Sequence, residues 1–175
     1  MRIVSGLYKG RVLCEFKGKD VRPTSDMVRE SLFNILQGKI AGKTFLDLFC
    51  GTGAVGIEAL SRGANKVTFN DLSKDSIALT KKNLEKVGAE NYALSLSDGV
   101  GFLSSTSEQF DYVFIDPPYS SDLGKKCLQV VAGALNQGGV AIYESEKPFD
   151  QDVDGLILTD RRKYGRAHLT FFVKK

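Results

Sequence analysis

The feature that most constrains the fold is an alternation of short apolar segments and amphipathic segments that begins near residue 44. Apolar runs typical of buried strands are followed by runs with the spacing of one-sided helices. Strands and helices that alternate through short turns favour right-handed βαβ crossovers and an open parallel sheet covered by helices. The predicted strands are 44–49, 66–70, 92–96, 111–115 and 139–143, and the predicted helices lie near 54–62, 74–87 and 123–135.

The end of the chain departs from this alternation. Two strand-like runs, 156–159 and 168–173, are separated by a basic turn at 161–166 and by no helix. Strands joined in this way predict an antiparallel hairpin at the edge of the sheet.

The first 43 residues also differ. Segments 2–4 and 11–16 predict two short strands, and the apolar spacing that follows predicts a helix at about 25–36. We therefore expect two parts: an N-terminal extension at 1–43, made of a β-hairpin and a helix, and a main domain at 44–175 on which it packs.

The composition excludes several classes of protein. A chain of 175 residues with 42% hydrophobic and 26% charged residues is typical of a globular domain with a substantial core. The three cysteines, Cys14, Cys50 and Cys127, lie far apart and His168 is the one histidine, which argues against a disulfide framework or a zinc site. No apolar run reaches the roughly 20 residues of a membrane span, and no apolar secretory segment opens the chain. These patterns predict a cytoplasmic protein without a metal.

The charge is unevenly distributed. The net charge is +3, but residues 1–43 carry +5, residues 161–175 carry +6, and the remainder carries −8. Two basic ends suggest a polyanionic partner, although a solvated surface with a basic tail explains charge alone equally well.

A glycine-rich loop follows the first strand of the main domain. Gly51, Gly53 and Gly56 stand between that strand and a helix, the context that a nucleotide-binding loop requires. Asp71 ends the next strand, 20 residues after Gly51, where a carboxylate can bind both ribose hydroxyls of an adenosine. This pairing predicts an adenosine cofactor rather than a purely structural turn.

Two further aspartates belong to the same predicted edge. Asp98 follows the third strand, where it either meets the adenine ring or caps a short helix at 100–103; both interpretations remain open.

The glycines fit either NAD(P) or S-adenosylmethionine. Asp47, just before the turn, offers a partner for the ammonium group of S-adenosylmethionine.

The choice is made by Asp116, Pro117, Pro118 and Tyr119, directly after the fourth strand. Two prolines fix the backbone on a rigid path, which exposes the Asp116 carboxylate and the Pro117 carbonyl as neighbouring acceptors. A planar amine on a nucleobase offers two N–H donors that match this pair, and Tyr119 can stack on the base. The motif therefore predicts methyl transfer to an amino group, driven by positioning and electrostatics.

At this point a family resemblance becomes specific. Residues 46–64, LDLFCGTGAVGIEALSRGA, together with the DPPY motif, resemble class I S-adenosylmethionine-dependent methyltransferases that act on an amino group. Residues 22–36, RPTSDMVRESLFNIL, with RIVSG at 2–6 and KGR at 9–11, resemble the RsmD-type bacterial enzymes, which methylate the N2 amino group of one guanine in 16S rRNA. The similarity covers essentially the whole chain.

The resemblance implies a Rossmann-like α/β fold: a mostly parallel seven-stranded sheet with an antiparallel C-terminal edge hairpin. It implies S-adenosyl-L-methionine as cofactor and guanine(966)-N(2) activity. It also implies 16S rRNA, in the small ribosomal subunit or an assembly intermediate, as partner of a monomeric protein with no membrane or metal.

Matched position by position, the resemblance assigns three groups of site residues. The catalytic group is Asp116, Pro117, Pro118 and Tyr119. The cofactor group is Asp47, Phe49, Gly51, Thr52, Gly53, Asp71, Leu72, Asp98 and Gly99. The RNA group is Arg11, Arg22, Thr24, Arg29, Arg161, Arg162 and Arg166, of which Arg22, Thr24 and Arg29 either approach the target nucleotide or brace the cleft.

Three positions depart from the family pattern. Met27 stands where a basic residue is usual, Cys50 replaces a small residue before the first glycine, and Asp71 replaces a glutamate.

Two rival functions remain: a DPPY enzyme acting on another amine, such as adenine N6, and a non-catalytic RNA-binding assembly factor. The intact glycine loop, ribose acid and DPPY motif favour an enzyme.

Overall fold

The computed structural model describes residues 1–17, 26–119 and 121–175. Within these ranges, seven strands form one sheet in the order β3-β2-β1-β4-β5-β7-β6. Strands β1 to β5 are parallel, and β7 lies antiparallel between β5 and β6. This sheet confirms the expected fold. The strands are β1 (Thr44–Asp47), β2 (Lys66–Asp71), β3 (Tyr92–Leu96), β4 (Phe110–Ile115), β5 (Leu135–Ser145), β6 (Leu156–Tyr164) and β7 (Ala167–Lys174).

Helices cover both faces of the sheet. The described helices are α1 (Asp26–Ile35), α2 (Ala54–Ser61), α3 (Lys74–Lys86), α4 (Gly99–Ser105) and α5 (Leu123–Val130). The long helix predicted at 123–135 is shorter, because a 3-10 turn, Val131–Ala134, follows α5 and leads into β5. Side-chain caps define two of the starts: Ser73 accepts from the amide of Ser76, and Asp98 accepts from the amide of Gly101.

Alternate side chains of each strand build two cores. Phe45 points to the face covered by α1, α2 and α3, where its ring stacks between Phe33 and Tyr112 with centroids 6.3 Å apart in both pairs. Leu46, the next residue, belongs to the opposite core beneath α4 and α5, with Leu128. The central strands are therefore buried on both faces, as a parallel sheet requires.

The N-terminal hairpin is less regular than predicted. Its two arms form one antiparallel bridge, between Arg2 and Val12, and no continuous strands. The physical reason is that the arms pair only next to this bridge, and beyond it their amides turn to helix side chains: the amide of Val4 donates to Glu58 Oε2 over 2.9 Å, and the amide of Cys14 donates to Asn83 Oδ1 over 2.7 Å. The segment is thus tied to α2 and α3. That residues 1–43 form an extension and residues 44–175 the main domain stays a proposal.

The predicted basic turn at 161–166 is wrong in extent. Strand β6 continues to Tyr164, so the turn consists of Gly165 and Arg166, with Gly165 at a φ of 59°. The register also shifts near the middle of β6: Leu158 pairs with Phe172, whereas Asp160 pairs with Phe171. One extra residue in β6 reverses which side chains face each side of the sheet.

Candidate active site

A cleft of about 820 Å³ opens at the carboxyl ends of the parallel strands, where open α/β sheets bind their ligands. Its lining divides into two halves. The glycine-loop half is made of residues that end or follow β1, β2 and β3, among them Asp47, Phe49, Cys50, Gly51, Thr52, Asp71, Leu72, Asp98 and Gly99. The proline half consists of residues that follow β4, lie at the end of β5, or belong to the β6–β7 turn and α1: Asp116, Pro117, Pro118, Tyr119, Glu144, Tyr164, Gly165, Arg166, Met27 and Val28.

The glycine loop is shaped by close backbone packing. Gly53 has a φ of 79°, and a Cβ there would lie 2.8 Å from Thr80 Cγ2. Gly56 packs directly against the ring of Phe69, since a Cβ there would lie 2.2 Å from Cε1. Of the nine residues predicted to bind the cofactor, Gly53 shapes the turn from behind, and the other eight line the cleft.

Backbone amides hold two of the acids in place. Asp71 accepts through Oδ2 from the amide of Gly51 over 3.0 Å and through Oδ1 from the amide of Ser73 over 2.9 Å. Asp98 caps α4 through the amide of Gly101 over 2.8 Å, so the capping interpretation is confirmed. Both carboxylates also line the cleft. Their contacts with ribose and adenine stay predictions.

Asp47 gives the glycine-loop half its electrostatic character. The carboxylate is 2% exposed and accepts from the amide of Gly56 over 2.9 Å. Burial raises the pKa of Asp47 to about 7; the Gly56 hydrogen bond opposes the rise, and the negative charges of Asp116 and Asp71 add to it.

The neighbouring carboxylates Asp47, Asp71 and Asp116 favour a cationic ligand. S-adenosylmethionine, which carries an ammonium and a sulfonium, fits these acceptors. The pyrophosphate of NAD would instead add negative charge beside the carboxylates.

In the proline half, all four DPPY residues line the cleft, as predicted for a catalytic motif. The side chain of Tyr119 is 40% exposed, and its hydroxyl donates to Oε1 of Glu144 over 3.0 Å. Glu144 is 3% exposed and lies at the end of β5. The sequence prediction missed Glu144 because it ended this strand at residue 143. A carboxylate at the end of a strand beside the DPPY strand could have indicated it.

The predicted RNA group divides by position. Arg166 lies in the β6–β7 turn and lines the cleft. Arg11 does not belong there: its Nη1 donates to the carbonyl of Val87, at the end of α3. Because α3 runs from the carboxyl ends of the parallel strands back to their amino ends, Arg11 lies at the end of the sheet away from the cleft. Its predicted contact with RNA stays a prediction.

Arg29 is fully buried, so its guanidinium does not reach a nucleotide in this structure. Nη2 donates to the carbonyl of Arg2 over 2.6 Å and pairs with Asp26 at 3.1 Å, and Nε lies 3.9 Å from Glu58. Of its two predicted roles, burial favours bracing the cleft. The other two residues of that alternative, Arg22 and Thr24, lie outside the described residues.

Arg161 and Arg162 lie in edge strand β6 rather than in a turn. Arg161 Nε donates to the carbonyl of Phe149 over 3.1 Å, whereas Arg162 Nε pairs with Asp160 at 2.9 Å. As consecutive residues of a strand, they point to opposite faces of the sheet, so they do not form one basic patch. Met27, the position where the family pattern has a basic residue, is 54% exposed and lines the cleft.

Residues 1–17, 26–119 and 121–175 contain neither a membrane-spanning helix nor a metal-binding group of side chains. None of the helices there is long and apolar enough to cross a membrane. No group of three or more His, Cys, Asp or Glu side chains in those ranges has the arrangement of a metal site.

Comparison with known proteins gives consistent matches over almost the whole chain. A family model described as Conserved hypothetical protein 95 matches residues 1–173. A Haemophilus influenzae protein named Ribosomal RNA small subunit methyltransferase D is 37% identical over 153 residues, which are 84% of this chain and 79% of that protein. The solved structure of yhhF from Escherichia coli, 30% identical, aligns with a TM-score of 0.90 and covers 100% of this chain and 98% of its own. The structure of SMU.776 complexed with SAH, 22% identical, shares the fold with a TM-score of 0.69 over 84% of this chain and 48% of its own.

Proposed function

This chain belongs to the RsmD family, described as Conserved hypothetical protein 95, and on that premise we propose that it transfers a methyl group to ribosomal RNA. The acceptor in this proposal is the exocyclic N2 amino group of a guanine in 16S rRNA. One observation carries it: the DPPY motif and the acidic glycine-loop half face the same cleft.

The cofactor is S-adenosylmethionine, which supplies a methyl group on a positively charged sulfur. Asp47 is suited to hold its ammonium group, because a buried carboxylate with a raised pKa gains most from a cationic partner. Asp71 is suited to the ribose hydroxyls, since backbone amides fix both of its oxygens at the end of β2. Phe49 and Asp98 line the cleft beside them.

The proline half orients the amino group that receives the methyl. The Asp116 carboxylate and the Pro117 carbonyl accept its two N–H groups, so the nitrogen lone pair points away from the plane of the base. Asp116 also stabilises the positive charge that develops on the nitrogen during transfer. Tyr119 stacks on the base and holds its plane, so the reacting atoms are positioned before the reaction.

The proposal also states which guanine is methylated and whether the RNA is bound in a ribosomal particle. The family resemblance supports guanine 966 as the target. We assign the small subunit or its assembly intermediate as substrate, and a monomeric, cytoplasmic protein as the enzyme. Arg166, exposed in the β6–β7 turn that lines the same cleft as the DPPY motif, supplies positive charge where the RNA backbone would approach.

Labelled S-adenosylmethionine tests the proposal directly. Small subunits that lack the modification, naked 16S rRNA and duplex DNA are incubated in parallel with the protein. We expect label in the small-subunit reaction, at a single N2-methylguanine. Label on adenine N6 would show a different amine substrate, and cofactor binding without label on any substrate would favour an assembly factor.

A further inference from the structure

The proposed function gives Tyr119 the task of stacking on the base, and we propose that Glu144 is the positioning residue that makes this possible. Glu144 holds the phenol hydroxyl and thereby sets the plane of the ring against which the base lies. The inference rests on the proposed function for its catalytic consequence. The contact between the two side chains can be tested separately.

Tyr119 gains from such an anchor because its side chain is partly exposed in the cleft. Pro117 and Pro118 restrict the backbone that leads to it, but they leave the two side-chain torsions of the tyrosine free. With 40% of its surface exposed, the ring is only partly held by packing. The hydrogen bond of 3.0 Å from Oη to Glu144 Oε1 fixes the far end of the ring.

The sheet places Glu144 beside the motif. Ile115 of β4 pairs with Tyr143 of β5, so Asp116, the first residue after β4, lies beside Glu144, the penultimate residue of β5. Burying a carboxylate at this position costs more free energy than burying a neutral acceptor would. A buried glutamate that lines the cleft and accepts from the tyrosine of the DPPY motif therefore indicates a role in the site.

The hydroxyl of Tyr119 donates to Oε1 of Glu144. A carboxylate is a stronger acceptor for such a bond than a neutral carbonyl oxygen. A glutamine at this position would either accept weakly or donate through its amide. Glu144→Gln therefore keeps the size of the side chain and weakens the anchor.

A double-mutant cycle in the full chain tests the coupling. The variants are Tyr119→Phe, Glu144→Gln and the two combined, with kcat and the KM for small subunits measured at saturating cofactor. Each single substitution removes one charge-assisted hydrogen bond and should lower kcat about tenfold. The kcat of the double variant should be no lower than that of the slower single variant. The Kd for S-adenosylmethionine should stay within about twofold of the original. Glu146→Gln, an exposed glutamate two residues later, is the matched control and should change nothing.

Two kinetic results would overturn the proposal. One is multiplicative losses, with the double variant about a hundredfold slower, because the two residues would then act independently. The other is a Glu144→Gln variant that has a lower Tm but an unchanged kcat, since that residue would be merely structural.

A second measurement does not depend on activity. The protein has six tyrosines, and Tyr119 is assigned in a spectrum of ring-labelled tyrosine by its absence from Tyr119→Phe. Glu144→Gln should shift the Tyr119 resonances and leave the others in place. Unchanged resonances would contradict the anchor. Shifted resonances in a protein that methylates no RNA would support the anchor and reject the proposed function instead.

Discussion

The two halves of the cleft are built in different ways. In the glycine-loop half, each aspartate is held by a backbone amide within nine residues of it: Asp47 by Gly56, Asp71 by Ser73, and Asp98 by Gly101. In the proline half, the described contact is between two side chains on different elements, Tyr119 and Glu144. Because backbone amides are present whatever the neighbouring side chains, the first half is encoded locally, and the second depends on how the sheet assembles.

This difference separates two properties of the proposed enzyme. The glycine-loop half, whose geometry is set by nearby backbone amides, suits a cofactor that is the same in every methyl transfer. The proline half is assembled from β4, β5, α1 and the β6–β7 turn. Because each of these elements can change independently, this half suits recognition of a particular substrate. Substitutions in the proline half should therefore affect turnover or RNA binding and leave cofactor affinity intact. Substitutions in the glycine-loop half should affect cofactor affinity first.

The largest effect is expected from Asp116→Ala. Removing the carboxylate that orients the amine and stabilises its developing charge should lower single-turnover methyl transfer by about a hundredfold or more. The Kd for S-adenosylmethionine, measured by calorimetry, should change by no more than about threefold. Asp122→Ala, an exposed carboxylate shortly after the motif, is the control and should retain full activity. Equal losses of binding and turnover would place Asp116 in the cofactor half.

An intermediate effect is expected from pH, acting through Asp47. Its pKa near 7 means that the carboxyl group must lose a proton to hold a cationic ligand. From about pH 5.5 to about pH 7, where an α-amino group stays largely protonated, the Kd for S-adenosylmethionine should fall about tenfold. Asp47→Asn should bind more weakly and show a flat profile. A profile of the same slope in this variant would contradict the assignment.

The same group affects stability in the opposite direction. Folding raises the pKa of Asp47 from 3.8 to about 7, so the folded state binds the proton more tightly than the unfolded state. Its contribution to the free energy of unfolding is complete below pH 3.8 and is lost as the pH rises through about 7. Denaturant titrations of the ligand-free protein should therefore show a decline across this range that Asp47→Asn lacks.

The smallest effect is expected from single surface charges. Arg166→Ala should weaken binding to small subunits severalfold and reduce the slope of log K against log salt concentration by about 1. Arg11→Ala, at the end of the sheet away from the cleft, should change neither the affinity for small subunits nor the salt slope. Equal effects of the two substitutions would show that the RNA also covers the surface around α3. Deletion of 161–166 is a poor test, because it would remove half of β6.

The sequence predicted those parts of the site whose geometry depends on near neighbours. The glycine loop, Asp71 and the DPPY motif were identified because short spacings after apolar strands determine where their side chains lie. Glu144 was missed because its role depends on the pairing of β4 with β5. Spacing along α1 could not show that the side chain of Arg29 is buried rather than exposed. Its burial comes from packing against Glu58 and residues near Arg2, which are distant in sequence.

The edge of the sheet illustrates a second limit. The order of strands and helices followed from their periodicity, including the antiparallel pair at the end. One extra residue in β6, between Leu158 and Asp160, shifted the register, and the continuation of the strand to Tyr164 put the consecutive residues Arg161 and Arg162 on opposite faces. A single inserted residue leaves a strand pattern recognisable and still reverses its faces. Local periodicity therefore could not predict which basic side chains share a surface.

The attachment of the first residues to α2 and α3 has a consequence for how the chain folds. The amide of Tyr8 bonds to a side chain 53 residues later, that of Cys14 to one 69 residues later, and the guanidinium of Arg11 to a carbonyl 76 residues later. These bonds can form only when the chain has been made as far as the end of α3. Contacts of such high sequence separation form slowly. The residues of this segment should thus be among the last to acquire protection from hydrogen exchange.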